Sequence, residues 1–270
     1  MRIARVALLI TGLMTASLIG ATAAHAAPSN DRLRDATTIS SLPAIITENT
    51  SDAAGDGPHF CTQGNNSSVF FQFTPTVSGM LQADTFGSDY DTVLKVFSGT
   101  RNDFVLEACN DDFIGLASAV SFDASAGTTY YFMVQTCCRG SDDNTGGHLE
   151  FGLDVAPTAD PVVALTVDGA RLTAGHKVLV TGSVTCSQRT GISLFVILRQ
   201  VRNDLYLARG SANTLIGCDP SGVTTWQLRV DSRTGVIFAS GPATARGGFF
   251  AVDTAGSASG PIARTQVTIA

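Results

Sequence analysis

SVFFQFTPTVSGMLQADTFGSDYDTVLKVFSGTRNDFVLEACNDD, residues 68–112, decides how the rest of the chain reads. One theme repeats through it: a short run of aromatic and β-branched residues, a break at Gly, Pro, Asp or Asn, then another run. Val69, Phe71 and Phe73 share one face of an extended segment, and Leu81, Ala83 and Thr85 resume the period of two after the turn at residues 75–79. That rhythm is antiparallel β-structure.

The same rhythm runs on through residues 92–97, 104–108, 119–122 and 130–135. In residues 147–155, Leu149, Phe151, Leu153 and Val155 alternate with His148, Glu150, Gly152 and Asp154, giving one buried and one wet face. APTADP at residues 156–161 then breaks the pattern with two prolines, so a linker is expected at residues 157–160. Eight more runs follow, at 162–167, 177–184, 193–201, 205–208, 224–230, 236–239, 248–253 and 263–269. Val178, Val180 and Val184 share a face there, as do Trp226, Leu228 and Val230, and Trp226 reads as a core tryptophan. Ahead of residue 68 the chain is polar, with a faint helical signal at 31–38 and an edge-strand candidate in LPAIITENT at 42–50. Twenty-seven glycines and no long helical period point to an all-β fold of two β-sandwich domains, residues 28–156 and 161–270.

Arg2 and Arg5, the apolar run at residues 6–20 and the small residues up to Ala26 have the order of a secretory signal peptide, residues 1–26. The mature chain is therefore expected to be secreted and extracellular, with no membrane span. Its removal takes the formal charge from −6 to −8, and only two lysines remain, Lys95 and Lys177, with no basic run. Nothing in this resembles a nucleic-acid or anionic-lipid footprint, whereas neutral or cationic partners, or a divalent cation, suit the balance.

All six cysteines lie in the exported part, and an even count in an oxidising compartment favours disulfides. Cys186 and Cys218 are expected to pair. A bond between neighbours Cys137 and Cys138 would be strained, so Cys61 and Cys109 are each expected to take one of that pair.

Asn30, Asp31, Asp35 and Ala36, then SVFFQFTP, GSDYDTVLKVFSG, ACNDD and AGTTYYFMV in that order, resemble the bacterial pre-peptidase C-terminal domain over residues 31–155. The resemblance implies a jelly-roll-like sandwich that serves as a non-catalytic accessory module of exported proteins, some versions of which bind collagen with the help of calcium. The second half is similar, more loosely, to immunoglobulin-like sandwiches. Its Trp226 lies after both cysteines, whereas antibody domains place it between them, so their disulfide is not carried over.

Asp84, Asp89, Asp91, Asn110, Asp111 and Asp112 form the candidate metal set, because hard cations such as calcium take six to eight oxygen ligands and two acidic corners of a sandwich can supply them jointly. The competing reading is that these residues cap turns through nearby backbone N–H groups. Asp142, Asp143 and Asn144 form a weaker second group. Tyr130 and Tyr131 project to opposite faces of one strand, so one is expected to be exposed as a grip for a protein or glycan, or else to fill a gap. His59, His148 and His176 fall in no metal motif, and GSASG at 256–260 has alanine at the centre of a would-be nucleophile elbow. The expected function is a secreted, calcium-stabilised binding or accessory module without an active site, recognising an extracellular protein or glycan or assisting a secreted enzyme. The alternative is a hydrolase or protease inhibitor acting on extracellular protein.

Overall fold

A computed structural model describes residues 26–55, 66–100, 103–137, 146–202 and 206–270. Residues 1–25 of the expected signal peptide, Cys61, Cys138, His59 and the Asp142–Asp143–Asn144 group lie outside the described residues.

The first half contributes nine strands: β1 (Thr37–Ile39), β2 (Ala44–Asn49), β3 (Asn66–Phe73), β4 (Gly79–Asp84), β5 (Thr92–Thr100), β6 (Asp103–Asp111), β7 (Ala119–Ala124), β8 (Tyr130–Thr136) and β9 (His148–Val155). They form a five-stranded sheet, β1-β3-β8-β5-β6, and a four-stranded sheet, β2-β9-β4-β7. Val69, Phe71 and Phe73 of β3 all turn into the space between these sheets, as their alternation requires. There Phe71 stacks on Phe151 of the opposite sheet, with ring centroids 4.4 Å apart and planes 3° from parallel. Phe70, on the other face of β3, joins a smaller cluster with Phe97 and Met133. The faint helical signal near residue 33 is a single 3-10 turn, Leu33–Asp35, and β2 lies at a sheet edge.

The second half contributes seven: β10 (Val163–Leu172), β11 (Val178–Cys186), β12 (Thr190–Arg202), β13 (Tyr206–Cys218), β14 (Thr224–Val230), β15 (Gly241–Val252) and β16 (Ser257–Ile269). Their order is β13-β12-β15-β16-β10-β11-β14. A single parallel pairing, Ala170 with Ile269, joins the β10-β11-β14 layer to the β13-β12-β15-β16 layer. On the far side Gly210 of β13 bridges to Ser232, just past β14, so the sheet folds over one core and nearly closes. Trp226 is buried in that core, and its indole N–H donates to the Ser183 carbonyl at 3.3 Å.

One expected strand is absent. Residues 236–239 run without a sheet partner because the Gln200 side chain takes that place: its Nε2 donates to the Ala239 carbonyl at 2.7 Å and its Oε1 accepts from the Ala239 N–H at 3.0 Å. Phe238 drops into the core between them and accounts for the apolar signal. The fold is all-β throughout, with sandwich-like layers.

Candidate functional site

The six candidate ligands do not converge as a group. Asp84, at the end of β4, is fully buried and faces Arg189 from the second half. Arg189 Nε donates to its Oδ1 at 2.9 Å and its Oδ2 at 3.2 Å, and the Phe86 N–H donates to Oδ1 at 3.1 Å. Burial still holds the Asp84 carboxyl above the usual carboxylate range, against the pull of Arg189. With its oxygens taken, Asp84 is an ion-pair partner rather than a metal ligand. Asp89 is exposed and its Oδ1 accepts from the His148 N–H at 2.7 Å, which clasps its loop to the start of β9. The Asn110 Oδ1 accepts from the Ala119 N–H at 3.2 Å. Asp89 and Asn110 thus each accept a backbone N–H, but from a residue 59 and 9 positions away rather than from their own turns.

Asp91 and Asp111 do meet. Val93 of β5 pairs with Asp111 at the end of β6, so Asp91, two residues earlier, extends past that end beside the Asp111 side chain. The Asp91 carbonyl accepts from the Cys137 N–H at 3.0 Å, which brings the end of β8 to the same corner. Ligand atoms of Asp91, Asp111 and Cys137 lie within 4.8 Å of one another. Cys137 is disulfide-bonded, however, so its sulfur is no thiolate ligand and has no proton to donate. Its 3.3 Å approach to Asp111 Oδ2 is a packing contact.

The corner is thus two carboxylates, and the Oδ1 of each is buried with no hydrogen-bond partner among the described residues. Burial pushes the Asp91 carboxyl up to about 6, and the charges of Asp112 and Asp111 add to the rise. Asp111 is raised for the same reasons, burial first and then Asp112. Asp112 itself is exposed, at a left-handed φ of 64°. Two half-buried carboxylates with orphaned oxygens and, among the described residues, no cationic partner can share a proton below pH 6 or hold a hard cation above it.

Tyr130 is not a grip. It is buried in the first core, its ring lies 5.1 Å from that of Phe122, and its hydroxyl accepts from the Ser125 N–H at 2.8 Å. Tyr131, half-buried on the opposite face, meets the edge of Phe104 at 5.9 Å. Lys95 is buried as well, donates to Gln135 Oε1 at 3.2 Å, and is pushed down to about 8 by burial. Cys186 and Cys218 are bonded, at the ends of β11 and β13, and Cys109 is also in a disulfide. Among the described residues no hydrogen bond joins a histidine ring to a serine or carboxylate, and no helix is long and apolar enough to cross a membrane.

Arg189 is the residue that sequence reasoning missed. A lone arginine in SQRT carries no motif, and its role exists only because the two halves meet. Besides Asp84 it reaches Glu150 Oε1 at 2.9 Å and the Phe86 carbonyl at 2.8 Å, both in the first half.

No family model matches the chain, and no curated relative matches it. Among solved structures it is similar to a glycosyl hydrolase family 2 member from Bacteroides cellulosilyticus (11% identity, 75% of this chain and 28% of that one, TM-score 0.24). It is also similar to a β-glucuronidase from Bacteroides uniformis (10% identity, 84% and 32%, TM-score 0.23) and a β-D-mannosidase from Dictyoglomus thermophilum (8% identity, 75% and 29%, TM-score 0.26). The chain spans about a third or less of each of these proteins.

Proposed function

We propose that this chain is a secreted, non-catalytic binding or accessory module whose first sandwich is braced by calcium at Asp91 and Asp111, and which recognises an extracellular protein or glycan. The observation that carries the metal reading is the pair of buried, unpartnered carboxylate oxygens at the β5–β6–β8 corner. An all-oxygen, doubly anionic pair suits a hard cation, which would satisfy both orphaned atoms and cancel their repulsion; Asp112, main-chain carbonyls and water are the natural sources of further oxygens. Placement outside the cell is supported by the Cys186–Cys218 disulfide, which persists in an oxidising compartment.

The test is the thermal midpoint of the mature chain with and without calcium, for the parent and for Asp91→Asn and Asp111→Asn. A ligand that binds only the native state raises the midpoint by mass action. The expected result is a calcium-dependent rise in the parent that neither variant shows. An unchanged midpoint at millimolar calcium would remove the metal and leave two carboxyls that share a proton.

A further inference from the structure

The charge of this chain is segregated. Between residues 27 and 160 there are eighteen acidic and five basic residues, whereas from residue 161 onward there are ten basic and five acidic. The strands of the β13-β12-β15-β16 layer carry five arginines and no acidic residue. Arg199, Arg209, Arg246 and Arg264 are all exposed on it. None of these four side chains has a carboxylate or other hydrogen-bond partner among the described residues.

The register brings them together. Arg199 stands directly opposite Arg209 on one side and Thr244 on the other, and Thr244 pairs with Gln266. Arg246 is opposite Ile197, two residues along β12 from Arg199, and Arg264 is two residues along β16 from Gln266. Arg199, Arg246 and Arg264 rim a depression of about 410 Å³. Like charges placed opposite each other across strands destabilise a sheet, so an unneutralised arginine cluster is a standing cost to this fold that a bound anion relieves. Within the depression Val201, Leu207 and Pro242 offer apolar surface, while the Gln266 amide N–H groups are free to donate, because its Oε1 is the atom that pairs with Thr244 Oγ1 at 3.2 Å.

Further along the outer face of β12 the alternation runs Arg199, Ile197, Phe195. Phe195 is 47% exposed and lies across Gly248, where a Cβ would stand 2.9 Å from its ring. Phe250, 48% exposed, is opposite Ser193 and hence diagonal to Phe195 on the same face. The track thus has a guanidinium end and an aromatic end.

We infer that this outer face binds an acidic polysaccharide, with Arg199, Arg246 and Arg264 taking the carboxylates of its uronate units and Phe195 and Phe250 stacking on the apolar faces of its sugar rings. Guanidinium forks match carboxylates bidentately, and aromatic rings pack on C–H surfaces. An open depression on an exposed sheet face fits a polymer better than an enclosed small molecule. The mature chain's net charge of −8 and the short extent of the arginine cluster disfavour nucleic acid, which asks for a long phosphate-tracking stripe. This names the ligand of the module proposed above and rests on that reading, although its residues are separate from the carboxylate pair.

The experiment titrates the full mature chain, by calorimetry at low and physiological salt, with polygalacturonate, with uncharged dextran and with single-stranded DNA. Parent protein is compared with a variant carrying Arg199→Gln, Arg246→Gln and Arg264→Gln. Because these side chains are exposed and unpartnered, the variant should unfold at the parent's midpoint or above it. The expected result is polygalacturonate binding that weakens with salt and falls roughly 100-fold in the variant, as three lost solvent-exposed ion pairs imply. Polygalacturonate binding unchanged in the variant would overturn the assignment, as would DNA binding of equal strength with the same sensitivity. Binding of dextran alone would overturn the acidic ligand but leave the binding module standing. No binding to any polymer would overturn the inference, while the calcium measurement judges the metal brace separately.

Discussion

Arg189→Met tests the joint between the two halves. The substitution keeps most of the side-chain volume and removes a guanidinium that serves Asp84, Glu150 and the Phe86 carbonyl at 2.8 to 3.2 Å. Asp84 is left buried with only the Phe86 N–H and a long 3.4 Å contact from Gln82 Nε2. Breaking a buried pair from one side costs about 3–5 kcal/mol, because the remaining charge is uncompensated. Glu150 adds little, since its side chain is 25% exposed and can hydrate. Urea unfolding of the mature chain at pH 7 reads the loss directly. A second arm replaces both partners, Asp84→Leu with Arg189→Met, and should recover most of the loss, as apolar replacement of a whole buried pair tends to. The pH dependence has a definite sign. Asp84 already has a folded pKa above its unfolded value, so its contribution to stability declines as pH rises from the ordinary carboxylate range towards the folded value. Removing Arg189 lifts the folded value further, so the deficit of the single variant should shrink as pH is lowered towards that range. A loss below about 1 kcal/mol at pH 7, a deficit independent of pH, or a double variant no better than the single would refute the reasoning.

Asp91→Asn should stabilise the calcium-free chain at pH 7.5 by on the order of 1 kcal/mol, after discounting for solvent screening, because the native carboxylate is held up to about 6. Parent and variant should converge as pH falls from about 6 towards the ordinary aspartate value; matched denaturant curves across that range check it. Replacing Cys186 and Cys218 with alanine should cost about 4 kcal/mol for a loop closed over 32 residues, read from unfolding in parallel with the parent. Gly191→Ala should cost about 1–3 kcal/mol, since its Cβ would stand 2.7 Å from Ile114 Cγ2 and 2.8 Å from the Phe86 ring, and thermal unfolding would show it.

Periodicity exposed the strands because burial in a sheet is written at every second residue: Val69, Phe71 and Phe73, or Trp226, Leu228 and Val230, need no tertiary knowledge. It failed at residues 236–239, where a distant glutamine amide satisfies the backbone and an apolar run is left that belongs to no sheet. Of the candidate ligands, Asp91 and Asp111 meet because strand register places them together. Asp84 matched the pattern equally well but is taken by an arginine 105 residues away, which no local reading could supply. Alternation sets Tyr130 and Tyr131 on opposite faces of β8, but it does not say whether the second face is covered. The arginine face was invisible for a related reason: a sheet builds a basic patch from one residue per strand, so no basic run marks it in the sequence.

The corner that holds Asp91 and the joint that holds Arg189 lie at the two ends of one loop, residues 85–91. At its start Asp84 is pinned by Arg189, and Phe86 packs at Gly217, where a Cβ would stand 2.5 Å from the Phe86 carbonyl oxygen. At its end Thr92 is tied back, its hydroxyl 2.6 Å from that of Thr85, while Ser118 joins both strands by donating its N–H to Thr85 Oγ1 at 2.8 Å and its hydroxyl to the Thr92 carbonyl at 2.6 Å. A metal bound as proposed at Asp91 and Asp111 would therefore gain from a loop already ordered by the second half. Arg189→Met loosens that loop without touching either carboxylate, so the calcium-dependent rise in midpoint should be smaller in this variant than in the parent, whereas the Cys186/Cys218 double alanine variant, whose disulfide lies within the second half, should keep the full rise. An undiminished calcium response in Arg189→Met would mean that the carboxylate corner is preorganised by the first sandwich alone.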